Sequence, residues 1–378
     1  MLAAMDDLEL GYLLAVAGAG AWAPRPLASW LRALGSPRAI VDHIRTHEGA
    51  PPDGAEALSF DALTRLAQVD EAAAAGALDE ARKAKARIVL HSDAAYPAKL
   101  RDLCDRPLVL YCRGDLGALE SRCVAIVGSR AATSYGRLVA TAMASDFAAF
   151  GATVVSGLAR GIDAAAHRGA IEANAPTVAV LGSGVCALYP PYHALLAEEI
   201  VDAGGTVLSE FPPSMTARAH QFPMRNRVVA ALADATVVVE ASNRSGALIT
   251  ARLADELGRA VYAVPGDVTR PTSCGTNALI ADGVALVTGA ADVAALLNWE
   301  PLGLHSPSAP SGPQEDRDLL KLLDGGTGID ELSARMGAPA ADVAARLTLL
   351  ELQGIVERKP GGNYALVRGG AASKAAAR

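Results

Sequence analysis

No lysine occurs between Lys99 and Lys321 of this 378-residue chain, so every fixed cation of that long stretch is an arginine. A source biased towards alanine and arginine would give the same pattern. The functional alternative is that guanidinium forks suit phosphate oxygens and stack on bases. Aromatic residues are scarce, at 4% of the chain, so each one that falls in a loop has to be weighed. The five cysteines, Cys104, Cys112, Cys123, Cys186 and Cys274, show no C-x-x-C spacing. That speaks against a cysteine zinc site or a dithiol redox motif and fits reduced thiols in a cytoplasmic protein. The first ten residues carry Asp6, Asp7 and Glu9 and no base, unlike a secretory leader. No apolar run of about 18 residues is free of charges and turn residues, so no membrane span is expected. The net charge of −7 offers no bulk attraction for nucleic acid, although a local cationic groove can sit on an acidic protein.

Catalytic signatures are also missing. None of the seven histidines stands in H-E-x-x-H or another metal-ligand spacing, and there is no G-x-S-x-G elbow. No cysteine is paired with a nearby histidine in sequence. The chain has no G-x-x-x-x-G-K-[ST] run, and its first glycine turn, at Gly128, is not G-x-G-x-x-G. No catalytic residue, metal or cofactor is therefore expected. Glu210 and Glu240 stand at strand ends and could act as acids. The preferred reading is that they pair with Arg225, Arg227 or Arg244.

What is present is a run of strands, each ending in a turn of small residues. Apolar segments at Ile88–Leu90, Leu108–Cys112, Val124–Val127, Thr153–Val155, Thr177–Leu181, Thr206–Ser209, Thr236–Glu240, Ala260–Val264 and Ala285–Val287 read as strands. From Val124 onward helical stretches separate them. Continuous apolar strands alternating with helices predict an α/β fold with a mostly parallel sheet covered on both faces. Before it, residues 1–86 read as a helical domain with a weak resemblance to sterile-alpha-motif or helix-hairpin-helix modules. Ser36 and Pro37 mark one helix start there. Residues 87–298 form the expected extended Rossmann domain, and 299–314 a Pro/Ser/Gly linker. Residues 315–368 read as a winged helix: helices at Glu315–Leu323, Ile329–Met336 and Ala340–Gln353, then a hairpin around Lys359–Asn363. Between Arg317 and Arg368 seven basic and seven acidic residues leave the module nearly neutral, which favours a protein contact or weak DNA contact over groove readout. Residues 369–378 are expected to be a disordered tail.

In a doubly wound sheet, ligands bind along the carboxyl ends of the strands. Small residues there let the backbone approach an anion, which helix N-termini and arginine forks can hold. Four clusters fit. Gly128-Ser129-Arg130 joins a strand to a helix starting near Thr133-Ser134. Gly157, Arg160 and Gly161 lie in the next such turn, with Asp163 read as a capping residue and His167 as a packing residue. Ser245, Gly246 and Thr250 open one helix, and Gly275, Thr276 and Asn277 another; ordinary capping is their alternative role. The most specific run is His220-Gln-Phe222-Pro-Met-Arg225-Asn226-Arg227. With Pro223 as the helix start, Arg225, Asn226 and Arg227 fall in the first turn, where cations are disfavoured unless an anion is shared. Phe222 would be half exposed, ready for a base to stack on it. A hydrophobic staple for Phe222 and a structural ion pair for one arginine are the alternatives.

In order and spacing these runs resemble the DNA-processing protein A (DprA/Smf) family. The resemblance rests on Val127-Gly-Ser-Arg130, Ser156-Gly-Leu-Ala-Arg-Gly-Ile-Asp163, Phe222-Pro-Met-Arg-Asn-Arg227, Ser245-Gly-Ala-Leu248 with Thr250-Ala251, and Gly275-Thr-Asn277. It implies an extended Rossmann fold that binds single-stranded DNA without sequence preference. It also implies a homodimer that loads the RecA recombinase onto incoming DNA in natural transformation, with no reaction of its own. By resemblance Arg130 contacts phosphate and Phe222 a base. The family commonly carries a lysine three residues before that phenylalanine; Ala219 stands there, with Arg218 beside it as the candidate substitute. The rival reading is a nucleotide-processing, phosphoribohydrolase-like Rossmann enzyme using Glu210 or Glu240, although the P-G-G-x-G-T-x-x-E run of such enzymes is missing.

Overall fold

The computed structural model describes residues 5–20, 24–302, 319–320, 322–323, 327–352, 356–359 and 363–366. Five helices come first: α1 (Asp7–Ala19), α2 (Pro24–Leu34), α3 (Pro37–Thr46), α4 (Phe60–Ala67) and α5 (Glu71–Lys83). Their starts are set by local chemistry. The side chains of Asp6, Ser36, Ser59 and Asp70 each accept an N–H of the first turn, and Pro37 occupies the first position of α3.

All nine expected strands form one sheet: β1 (Arg87–Leu90), β2 (Val109–Gly114), β3 (Arg122–Val127), β4 (Ala152–Ser156), β5 (Thr177–Val180), β6 (Thr206–Ser209), β7 (Ala235–Val238), β8 (Ala260–Ala263) and β9 (Ala285–Leu286). The spatial order is β1-β2-β6-β5-β4-β3-β7-β8-β9. Every pairing from β6 through β9 is parallel, while β2 runs antiparallel to both β1 and β6. Helices α6 (Ser134–Asp146), α7 (Ile162–Glu172), α8 (Ala194–Asp202), α9 (Gln221–Leu232), α10 (Gly246–Glu256), α11 (Cys274–Ala281) and α12 (Ala290–Leu296) follow their strands and cover both faces. The result is a Rossmann-like, mostly parallel sheet.

The two-residue period of the strands sorts the core. Along β3, Cys123, Ala125 and Val127 join one cluster with α9 and α10, whereas Val124 and Ile126 join the opposite cluster with α6 and α7. Along β2, Leu110 and Cys112 face α9, and Val109 and Tyr111 face the first five helices. Those helices share a continuous core with β2, β5, β6 and α8. Met1–Leu302 accordingly form one compact unit and Gly303–Arg378 a second. Within the second, helices Ile329–Met336 and Ala340–Leu352 pack around Leu332, Val343 and Leu347 beside an antiparallel hairpin of Val356–Arg358 and Tyr364–Leu366. Most of the expected linker and first helix of this unit, and the whole C-terminal tail, lie outside the described residues. No described helix is long and apolar enough to cross a membrane.

His167, on α7, is fully buried. Its Nδ1 lies 2.8 Å from Thr177 Oγ1, which itself donates to Val154 O, so the imidazole carries its proton on Nδ1. Nε2 is buried with no hydrogen-bond partner among the described residues. Burial pushes the imidazole down to about 3. Between that value and the ordinary one of about 6.5, the unfolded chain binds a proton that the native state refuses. The stability contributed by neutral His167 is thus complete above about pH 6.5 and is lost as pH falls below it. Relative to His167→Asn, wild type should lose about 2 kcal/mol between pH 7 and pH 5 in urea unfolding. A pH-independent difference would exclude this account.

Candidate nucleic-acid interface

The chain order β3-β4-β5-β6 grows the sheet in one direction, and β7 then returns to the other side of β3. The carboxyl ends of β3 and β7 therefore flank the topological switch, where the two sets of connections diverge and leave a crevice. A cleft of about 700 Å³ opens there, lined by the turns after β3, β4 and β7 and by the start of α9.

Close packing of small residues builds its floor. Ser129 N–H donates to Glu240 O at 2.7 Å, tying the end of β3 to that of β7, and Ser129 O accepts from Ile162 N at 3.3 Å. Gly161 has a φ of +81°, and a Cβ on it would stand 2.2 Å from Ser129 O. This position therefore requires glycine on two grounds. Gly157 is bracketed. Its N–H donates to Asp163 at 3.1 Å and its carbonyl accepts from Arg225 Nη1 at 2.9 Å. A Cβ on Gly157 would lie 2.3 Å from the Arg225 guanidinium. Burial holds the Asp163 carboxyl above the usual carboxylate range, against the pull of Arg225. Burial also pushes Arg225 down to about 10, which leaves it charged at neutral pH.

Above this floor Phe222 is half-buried, as expected, with its ring over Gly182, where a Cβ would meet it at 2.9 Å. Arg130 is exposed, and its guanidinium carbon lies 4.9 Å from the Phe222 ring centroid. Arg160 and Arg218 are exposed and make no ion pair among the described residues. Thr250 is buried in the cleft wall, and Ser245 Oγ caps α10 by accepting from Ala247 N at 3.3 Å. Asn226 Nδ2 donates to Gly246 O at 3.3 Å, joining α9 to the start of α10.

Three expectations need correction. Helix α9 begins at Gln221, two residues before Pro223, so Arg225 and Arg227 lie beyond the first turn. Both point inward. Arg225 is 4% exposed and donates to Gly157 O and Val180 O, so it is no open phosphate fork. Arg227 forms a buried bidentate pair with Glu210, at 2.7 Å for both contacts, and a further bond to Asp105. Second, the Gly275 N–H and the side chains of Thr276 and Asn277, expected to face a phosphate, are engaged within the protein. Gly275 N–H donates to Ala241 O, Thr276 Oγ1 to Ser273 O, and the Asn277 amide spans both backbone groups of Gly266. Third, Glu240 pairs with no arginine among the described residues. It accepts from Thr133 N at 2.9 Å and Thr133 Oγ1 at 2.6 Å, fixing the start of α6. Glu210 does pair with an arginine, as the sequence reading preferred. One cleft residue was missed: Tyr189, whose ring lies 5.5 Å from Phe222. An aromatic in the loop after β5 was the available signal.

Comparison with known proteins adds four findings. The family model for DNA recombination-mediator protein A matches residues 87–298, and that for the DprA winged helix domain matches 303–362. Protein Smf of Escherichia coli is 40% identical over 72% of this chain and 75% of its own length. The X-ray structure of DNA processing protein A from Streptococcus pneumoniae superposes with a TM-score of 0.63 at 31% identity, covering 78% of this chain and 99% of that one. The Helicobacter pylori protein, whose structure is described for its single-stranded DNA binding mode, gives a TM-score of 0.52 at 28% identity, covering 57% of this chain and 99% of its own.

Proposed function

Since the chain belongs to the DNA-processing protein A (DprA/Smf) family, we propose that its switch-point cleft binds single-stranded DNA without sequence preference. The observation that carries this reading is the half-buried Phe222 ring beneath the Arg130 guanidinium, at the mouth of a cleft of about 700 Å³. A base stacks on the ring while the guanidinium holds the adjoining phosphate. Arg160 and Arg218, exposed and without an ion pair among the described residues, supply further charge to the strand's path. Duplex DNA hides its base faces in its own stack, so the same ring discriminates against it.

The protein acts on this reading as a recombination mediator rather than an enzyme. A homodimer carries the strand and presents it to the RecA recombinase during natural transformation. The enzymatic rival needs a free acid at Glu210 or Glu240, and both are spent on Arg227 and Thr133.

The test is anisotropy of a labelled oligo-dT and a matched duplex, titrated with the whole chain at several salt concentrations. Tight, salt-sensitive binding that prefers the single strand is expected. Equal affinity for duplex, or none at low salt, overturns the proposal. The mediator step is read separately, as faster RecA filament formation on strands already coated with single-strand-binding protein.

A further inference from the structure

Few aromatic side chains of this chain stand well into solvent. Among the described residues they are Phe60, Tyr135, Tyr189 and Tyr192. Two of these four lie on one turn, after β5 and before α8. Tyr189 is 50% exposed and Tyr192 63%. Soluble surfaces rarely cluster such residues without a ligand to cover them.

The turn is continuous with the cleft. Tyr189 lines it, and its ring meets Phe222 at 5.5 Å with a 56° tilt. Pro190 and Pro191 follow, restricting the backbone between the two tyrosines. The Tyr192 ring packs edge-on against His193, with centroids 4.8 Å apart. His193 is itself buried, with Nδ1 2.8 Å from Leu158 O. Leu158 begins the loop that carries the exposed Arg160. Tyr192 is thus braced from below, open above, and anchored to a loop bearing an exposed cation.

We infer that Tyr189 and Tyr192 extend the track beyond Phe222 as two further base-stacking platforms, with Arg160 as the backbone cation beside them. The inference rests on the single-strand reading above. Successive bases of a flexible strand each offer a π-face, so a row of aromatics takes them without regard to sequence. A strand that lies on Phe222 and runs towards β5 meets Tyr189 first and Tyr192 next. Neither tyrosine needs to touch phosphate, so their contribution is independent of salt.

The test uses the full chain, with oligo-dT of about 4 and about 16 nucleotides and a 16-residue strand of abasic sites. Tyr192→Ala should weaken binding of the long oligo-dT about tenfold and leave the short one unchanged. The slope of log affinity against log salt should stay at the wild-type value, and Tyr192→Phe should restore affinity. On the abasic strand, wild type and Tyr192→Ala should bind alike. Wild-type affinity of Tyr192→Ala for the long oligo-dT overturns the inference, as does an equal loss on the abasic strand, which marks a structural effect. Failure of the underlying reading looks different. Wild type itself then shows no single-strand preference, and this inference falls with it.

Discussion

Phe222→Ala should weaken oligo-dT binding by about 5- to 100-fold and leave its salt dependence untouched, the result expected when one stacked base is lost. Arg130→Ala should do the opposite in kind. Removing one phosphate contact lowers the slope of log affinity against log salt by about 0.7. The two effects should not add. The Arg130 guanidinium sits 4.9 Å from the Phe222 centroid, so each residue conditions the other. A cation over an aromatic face is worth about 0.5–2 kcal/mol, so the double mutant should be less impaired than the sum by a similar amount. Neither change should unfold the protein, because Arg130 is exposed and Phe222 only half-buried. Salt titrations of the four proteins decide the matter. If Phe222→Ala alters the slope, or Arg130→Ala leaves it unchanged, the assignment of base and phosphate is wrong.

How far the sequence foretold this site depends on whether the partner of each residue is local. The central strands were legible because a parallel strand buried on both faces must be apolar throughout, and Val124–Val127 or Thr177–Val180 can be little else. The half exposure of Phe222 followed from its place at a helix start. The start of α9 was misjudged because Pro223 can occupy any position of the first turn, where the N–H lacks an intrahelical partner anyway. The fates of Glu240 and Gly275 were illegible for another reason. Glu240 meets Thr133 only because β7 lies beside β3, and Gly275 meets Ala241 across the same edge. Strand order is a long-range fact that no window of residues contains. The first five helices raised the same difficulty. Their alanine-rich faces gave no sign that they share a core with β2 and β6.

Arg227→Ala should cost about 3–5 kcal/mol of folding stability, the largest loss expected from any single substitution considered. All five guanidinium N–H donors have acceptors. Nε donates to Asp105 Oδ2 at 2.9 Å, Nη1 to Glu210 Oε1 and Met224 O, and Nη2 to Glu210 Oε2 and Asp105 O. Glu210 has 6% of its side chain exposed, so deleting the arginine strands a buried carboxylate. The opposed charges hold Arg227 protonated beyond its ordinary range, against the desolvation that opposes charge. Lysine cannot substitute, because one ammonium cannot reproduce a planar fork that serves three residues. Arg227→Lys should therefore recover only part of the loss. Replacing Arg227 and Glu210 together by apolar residues of similar volume should recover more, since neither charge is then left alone. Chemical denaturation of the three variants measures these differences. The same variants, studied below their unfolding midpoints, should keep the wild-type salt slope for oligo-dT. A slope reduced by about 0.7 in Arg227→Ala, which removes the charge, would instead return this arginine to the phosphate track.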